Sequence, residues 1–115
     1  MKQLMLFVLV TTLCIWSCKK DPKVDEVTYE VTLTNAISWH GAYLDESAHV
    51  IGVSAAPTNW KYTFKNDNQL TVATLQAYAD GTSNTKDATM KIYVNGKVVA
   101  QGNSSVSPQL QYIFP

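Results

Sequence analysis

Apolar and polar residues alternate through nearly all of this chain after residue 25. Val27, Tyr29, Val31 and Leu33 alternate with Thr28, Glu30, Thr32 and Thr34. Successive side chains of a strand point to opposite faces, so such a segment has one buried face and one wet face. Trp60, Tyr62 and Phe64 alternate with Lys61, Thr63 and Lys65 in the same way. Leu70 and Val72 share one parity, while Leu75, Ala77 and Ala79 share the other. One extra residue in a bulge near Ala73-Thr74 would reconcile them. Met90, Ile92 and Val94 predict a further strand, Val98 to Ala100 its partner, and Leu110, Tyr112 and Phe114 a last one. The stretch from Ala36 to Val53 is less regular and reads as two short strands joined near Asp45-Glu46-Ser47. No segment has helical spacing. The expected core is Val27, Tyr29, Val31, Leu33, Trp60, Tyr62, Phe64, Leu70, Val72 and Ile92.

Turn chemistry separates these strands. Asn95-Gly96 lies between two strand-like runs, and a two-residue hairpin needs positive φ at both central residues, which Asn-Gly tolerates best. This pairs Tyr93 with Val98 and Ile92 with Val99. Further breakers stand at Pro57-Thr58-Asn59, Asn66-Asp67-Asn68, Asp80 to Asn84 and Gly102 to Ser105. Seven or eight short strands at this spacing predict an all-β, antiparallel sandwich, with a closed barrel as the second architecture.

The first 25 residues follow a different pattern. Met1-Lys2-Gln3 carries one lysine, Leu4 to Leu13 is uncharged, and Ile15-Trp16-Ser17-Cys18 follows. This resembles a bacterial lipoprotein signal, in which a peptidase cuts before the cysteine and fatty acyl chains are attached to it. A helix from Leu4 to Ser17 would be about 21 Å long, too short for a hydrocarbon core of about 30 Å. A secretory signal cut elsewhere would leave Cys18 as an unpaired thiol. Trp16 stands where a small residue is usual. Three parts are therefore expected: a signal peptide at 1–17, the lipidated Cys18 with a tether to residue 25, and one β domain at 26–115. The tether Lys19 to Asp25 is charged and spans at most about 25 Å. It is mixed in sign, so either face of the outer membrane is open to it.

Composition narrows the function. The chain has nine lysines and no arginine against nine acids, so it offers no basic face for phosphates and no arginine for base edges. Nucleic acid is not an expected partner. No glycine-rich loop precedes a helix, so no nucleotide is expected, nor any other cofactor. Cys14 and Cys18 are the only cysteines, and cleavage with lipidation removes both from the domain. No disulfide or thiolate metal site is therefore expected there.

Four segments occur together in a recognisable order. They are Val27-Thr28-Tyr29-Glu30-Val31, Ile37-Ser38-Trp39, Asn59-Trp60-Lys61-Tyr62-Thr63-Phe64 and Ile92-Tyr93-Val94-Asn95-Gly96-Lys97-Val98-Val99. Together they resemble the soluble domain of the MmpS family, small envelope proteins of mycobacteria with relatives elsewhere. Here the domain would take a Bacteroidetes-type lipoprotein form. The resemblance implies an immunoglobulin-like β-sandwich and a helper role beside large exporters. Asn59 stands where the family usually has proline, and the cysteines associated with mycobacterial members are absent.

Candidate chemistry is sparse. His40 and His49 are the only histidines and could meet across a hairpin, but no third ligand is marked by spacing. Asp45 and Glu46 read as a solvated turn tip. There is no G-x-S-x-G and no third member for a triad. A histidine and a carboxylate within hydrogen-bonding distance, in a pocket of convergent polar groups, would speak for catalysis. Trp60 and Tyr62 share a face with Phe64 and are expected in the core. Trp39, His40 and Tyr43 lie in the irregular stretch and are the candidates for partner or ligand contacts. The expected function is a membrane-tethered, non-catalytic accessory or interaction lipoprotein of the cell envelope, with an envelope protein as partner. The alternative is a small ligand-binding surface lipoprotein, for example for glycans.

Lipidation is directly testable. Metabolic labelling with a fatty acid should mark the wild-type protein and leave Cys18→Ala unmarked; equal labelling of both would remove the anchor from the picture.

Overall fold

A computed structural model describes residues 24–115; the leader, Cys18 and the tether up to residue 23 lie outside the described residues. Each alternating segment forms a strand: β1 (Glu26–Thr34), β2 (Ser38–Leu44), β3 (Val50–Ala56), β4 (Trp60–Lys65), β5 (Val72–Asp80), β6 (Asp87–Val94), β7 (Lys97–Asn103) and β8 (Gln109–Ile113). The described residues contain no helix. All pairings are antiparallel, in one four-stranded sheet of order β4-β1-β6-β7 and a second of order β3-β2-β5-β8. These are called sheet 1 and sheet 2. The domain is therefore a β-sandwich, and two separate sheets with free edges take the place of the barrel alternative.

Only β2–β3 and β6–β7 are hairpins within a sheet; every other connection crosses between sheets. The register sorts the loops to two ends. One end holds Asp25, the β2–β3 turn, the β4–β5 connection and the Asn95-Gly96 turn. The other holds the β1–β2, β3–β4, β5–β6 and β7–β8 connections.

The buried face of each sheet comes from the residues of one parity. Val27, Tyr29, Val31, Phe64, Ala88, Met90 and Ile92 come from sheet 1, and Trp39, Ala56, Ala73, Leu75 and Ala77 from sheet 2. Leu33, Trp60, Tyr62 and Leu70 are half-buried against them. Val72 is the exception to the expected core. Strand β5 pairs without a register shift with β8 from Val72 to Gln76 and with β2 from Leu75 to Asp80. The expected bulge at Ala73-Thr74 is therefore absent, and Val72 lies on the outer face. The parity change occurs before the strand instead. Asn66 closes a side-chain turn, accepting from the Leu70 N–H at 2.7 Å and donating to the Leu70 carbonyl at 3.2 Å. Leu70 thus reaches the core from a loop, where strand parity does not apply.

Two irregularities were not marked by the pattern. Between Trp39 and Gly41, the single residue His40 faces both Ser54 and Ala55 of β3, and Ala55 has φ 52°. In the β6–β7 hairpin, Tyr93 pairs with Val98 as expected, but Ile92 pairs with Ala100, leaving Val99 as an extra residue. The turn itself has the expected form, with φ 53° at Asn95 and 81° at Gly96. Asn95 also holds the start of β1, accepting from the Glu26 N–H and donating to Asp25, both at 2.9 Å.

Backbone approach differs sharply between two glycines of sheet 2. A Cβ at Gly41 would fall 1.9 Å from the Gln76 carbonyl oxygen, whereas one at Gly52 would meet nothing within 4 Å. Gly41→Ala should therefore destabilise by more than about 3 kcal/mol, and Gly52→Ala should stay within about 0.5 kcal/mol of wild type. Urea unfolding of both variants checks this; equal effects would contradict the register of β2 against β5.

Candidate functional site

The three candidate contact residues of β2 divide: Trp39 lies inside, His40 stands on the outer face of sheet 2, and Tyr43 is half-buried but contributes to a groove on that face. Trp39 is fully buried, which corrects the expected exposure. Its ring meets Trp60 edge-on at 5.0 Å. The indole N–H has no acceptor among the described residues, which costs about 1–3 kcal/mol. Burying roughly 150–250 Å² of tryptophan at about 25 cal/mol per Å² returns more than that, so the ring stays inside. Tyr43 is half-buried, with its ring 4.6 Å from Tyr62, 5.3 Å from Trp60 and 5.8 Å from Tyr29. His40, between them in sequence, points outward and its side chain is 51% exposed.

The β2–β3 turn is pinned rather than a free, solvated tip. Asp45 Oδ1 accepts from the Ser47 and His49 backbone N–H groups, each at 2.9 Å. Glu46 accepts a hydrogen bond from the Tyr62 hydroxyl. That bond to a carboxylate, reinforced by burial, holds the Tyr62 hydroxyl well above the ordinary tyrosine range. Burial pushes Tyr29 up to about 12, and its hydroxyl donates to the Leu44 carbonyl at 2.7 Å. The two hydroxyls stay protonated at neutral pH and act as structural donors.

The two histidines do not meet. His40 lies opposite Tyr78 in mid-sheet, while His49 sits in the turn beyond the other end of β2. His40 Nδ1 lies 2.7 Å from Asp80 Oδ1, and His49 Nδ1 lies 3.9 Å from Asp45 Oδ2. Among the described residues no group of three or more His, Cys, Asp or Glu could hold a metal ion. The His40–Asp80 pair has the contact that acid–base chemistry needs. It stands on the open outer face of sheet 2, where the two side chains are 51% and 36% exposed.

That open face is the most distinctive surface of the domain. The strands of sheet 1 carry Glu26, Glu30, Lys61, Lys65, Asp87, Lys91 and Lys97. Its outer face is ordinary, with Glu30 in register with both Lys61 and Lys91, and a Thr28–Thr63 hydroxyl bond at 2.9 Å. The four strands of sheet 2 contain no lysine and no glutamate, and Asp80 is their only acid. On their outer face Ala42 lies in register with Gly52 and Gln76, and Gln76 with Gln109. Larger apolar residues stand on the side toward the β2–β3 turn, with Val50 and Ile113 each 74% exposed. Beside Val50 runs a groove of about 320 Å³, lined by Ala42, Tyr43, Leu44, Val50, Val72, Thr74, Gln76 and Gln109. At the other end, His40 and Tyr78 form an offset-stacked pair with ring centres 5.1 Å apart and planes within 15°. Gln76 joins groove and rings by donating to the Tyr78 hydroxyl at 3.1 Å.

Tyr78, Gln76 and Asp80 were not marked as candidates by motif reading. The available signal was charge segregation, since the lysines and glutamates of the strands all fall in β1, β4, β6 and β7. No protein-family model matches the chain, and no curated protein matches it.

One further carboxylate is conspicuous and is structural. Asp87 opens β6 and accepts from Ala88 N–H, Asn103, Ser104 and both N–H and hydroxyl of Ser105, at 2.9–3.1 Å. Burial acts to raise its pKa, but the donated hydrogen bonds outweigh this and hold it at about 2, below the ordinary 3.8. A depressed carboxyl contributes stability that is present above the unfolded value and is lost as pH falls through the folded one. Wild-type stability should therefore fall as pH drops from about 4 to about 2. Asp87→Asn should be less stable at pH 7 and should lose part of that acid dependence. Chemical unfolding across this range is the measurement, and an unchanged pH profile would show that the network is not coupled to folding.

Proposed function

We propose that this protein is a membrane-tethered, non-catalytic interaction lipoprotein of the cell envelope, and that it makes its contacts through the outer face of sheet 2. The observation that carries the reading is the asymmetry of the sandwich. One outer face is laced with lysine and glutamate; the other has neither and combines an apolar groove with an exposed ring pair. Uncharged faces with exposed apolar groups are where soluble domains meet partners.

The anchor fits this use. Asp25 lies at the same end as the β2–β3 turn, so a lipid at Cys18 would put that end nearest the membrane. The strands would then carry the His40–Tyr78 end away from the lipid, roughly 10–20 Å along β2 at about 3.3 Å per residue. The resemblance to the MmpS soluble domain adds an expected setting beside an exporter, with an envelope protein as the neighbour. A tethered domain needs only modest intrinsic affinity, because the anchor raises the local concentration of one surface for the other.

A photo-reactive diazirine side chain placed on each outer face tests the reading. Gln109 serves for sheet 2 and Thr63 for sheet 1; both are exposed. Illumination in intact cells should give adducts with an envelope component from position 109 and few or none from 63. Equal yields, or none from either, would count against a dedicated contact face.

A further inference from the structure

The chemistry of this face narrows its ligand. We propose that the His40–Tyr78 ring pair and the adjoining groove form a binding site for a neutral oligosaccharide, an inference that rests on the contact face proposed above. Three properties point there. The first is the ring pair itself. Tyr78 is 38% exposed and the His40 side chain 51%, with nearly parallel planes on an otherwise flat sheet. Each ring covers one face of the other, so their exposure lies on the outward edges and on the faces turned away from the stack; such partly exposed aromatic surface suits the C–H face of a sugar, which is apolar and needs no charge partner.

The second is that both rings are fixed before any ligand arrives. Asp80 holds His40 at 2.7 Å and Gln76 holds the Tyr78 hydroxyl at 3.1 Å. A preorganised surface avoids the ordering that flexible side chains would otherwise undergo on binding. The same partners leave polar capacity for a sugar's hydroxyl edges. A carboxylate accepts at both oxygens, and an amide offers two donors and an acceptor. Gln109 adds a second amide in register with Gln76.

The third is electrostatic. Without lysine or glutamate on β2, β3, β5 or β8, this face does not favour a charged chain. On these strands a charged ligand would find one carboxylate, already paired with His40, with Lys86 outside them in the depression beyond Tyr78. Ala42 lines the groove with a small side chain, and Gly52, its register partner on β3, carries none. Four strands at about 4.8 Å spacing make the sheet roughly 14 Å across, room for a short run of sugar rings laid over the strands. Beyond Tyr78 lies a more polar depression of about 220 Å³ whose lining includes Asn84 and Lys86, so donors continue past the rings.

The test is calorimetric titration of the full lipid-anchored chain in nanodiscs with cellotetraose, maltotetraose, mannotetraose and xylotetraose. At least one should bind. Tyr78→Ala should weaken that binding by about tenfold or more, His40→Ala should weaken it as well, and Lys91→Ala on the opposite sheet should leave it unchanged. Circular dichroism should show all three variants folded. His40→Ala gives an independent reading if Tyr78→Ala does not fold. Failure of all four sugars to bind would overturn the proposal, as would binding that survives both ring substitutions. If sugars fail while position 109 still yields protein adducts in cells, the contact face stands and its ligand is protein. If sedimentation shows a dimer that Tyr78→Ala disrupts, the face is a self-association surface and the sugar site is refuted.

Discussion

Tyr29 links the two sheets of the sandwich more directly than any other residue described. It sits in β1, a central strand of sheet 1, fully buried. Its ring packs near Tyr43, Tyr62 and Phe64, with centres 5.7–6.4 Å apart. Its hydroxyl crosses to sheet 2 and donates to the Leu44 carbonyl. Hydrophobic burial alone is non-directional and would let two sheets slide over each other. A hydrogen bond from the core of one sheet to the last residue of β2 fixes their relative position. The donor is also secure, because burial keeps the phenol protonated far above neutral pH. Around this point the Tyr43–Tyr62 contact and the Tyr62–Glu46 bond tie the β2–β3 turn to edge strand β4.

With the interior fixed in this way, the outer faces are free to differ, and they do. Charges on the outer face of sheet 1 suit water and discourage association. An outer face on sheet 2 with one carboxylate and no lysine or glutamate carries a risk, because edge strand β3 (Val50–Ala56) lacks charge and proline and could pair with another chain. The irregularity opposite His40 moderates that risk. Two residues, Ser54 and Ala55, face one, which breaks the ladder and increases twist. The same irregularity lies beside the His40–Tyr78 pair, so edge protection and the exposed rings share one stretch of backbone. On the other sheet, edge strand β4 carries Lys61 and Lys65 and needs no such device.

Most strands were legible because period-2 alternation follows directly from the pleat. β1, β4, β6 and the Asn95-Gly96 hairpin required no tertiary information. Errors arose where loops and bulges altered parity. Val72 looked like a core residue because Leu70 shares its parity, but Leu70 enters the core from the Asn66 turn. Val99 lost its expected pairing because it is itself the extra residue of an irregularity that no local composition marks. Trp39 stood among the contact candidates because β2 has no polar alternation of its own: Ser38, His40 and Ala42 are too mixed to declare a face. For the same reason the ring pair was half visible. His40 stood out as one of two histidines, whereas Tyr78 and Asp80 became its partners only when the β2–β5 register was set.

The separation of charge between the sheets has a consequence for how such a domain works near a membrane. A uniformly charged domain would be oriented mainly by the membrane's surface potential, which fades within a Debye length of about 8 Å at physiological salt. A sandwich with an uncharged face can be brought close to uncharged partners without the cost of stripping water from lysine and carboxylate groups. In the lipid-anchored form proposed above, a seven-residue tether would limit the search to a layer at most about 25 Å deep between lipid and domain. Within that layer, contacts too weak to persist between freely diffusing molecules are populated repeatedly. A face without lysine or glutamate would therefore suit the anchored form proposed above better than a free one.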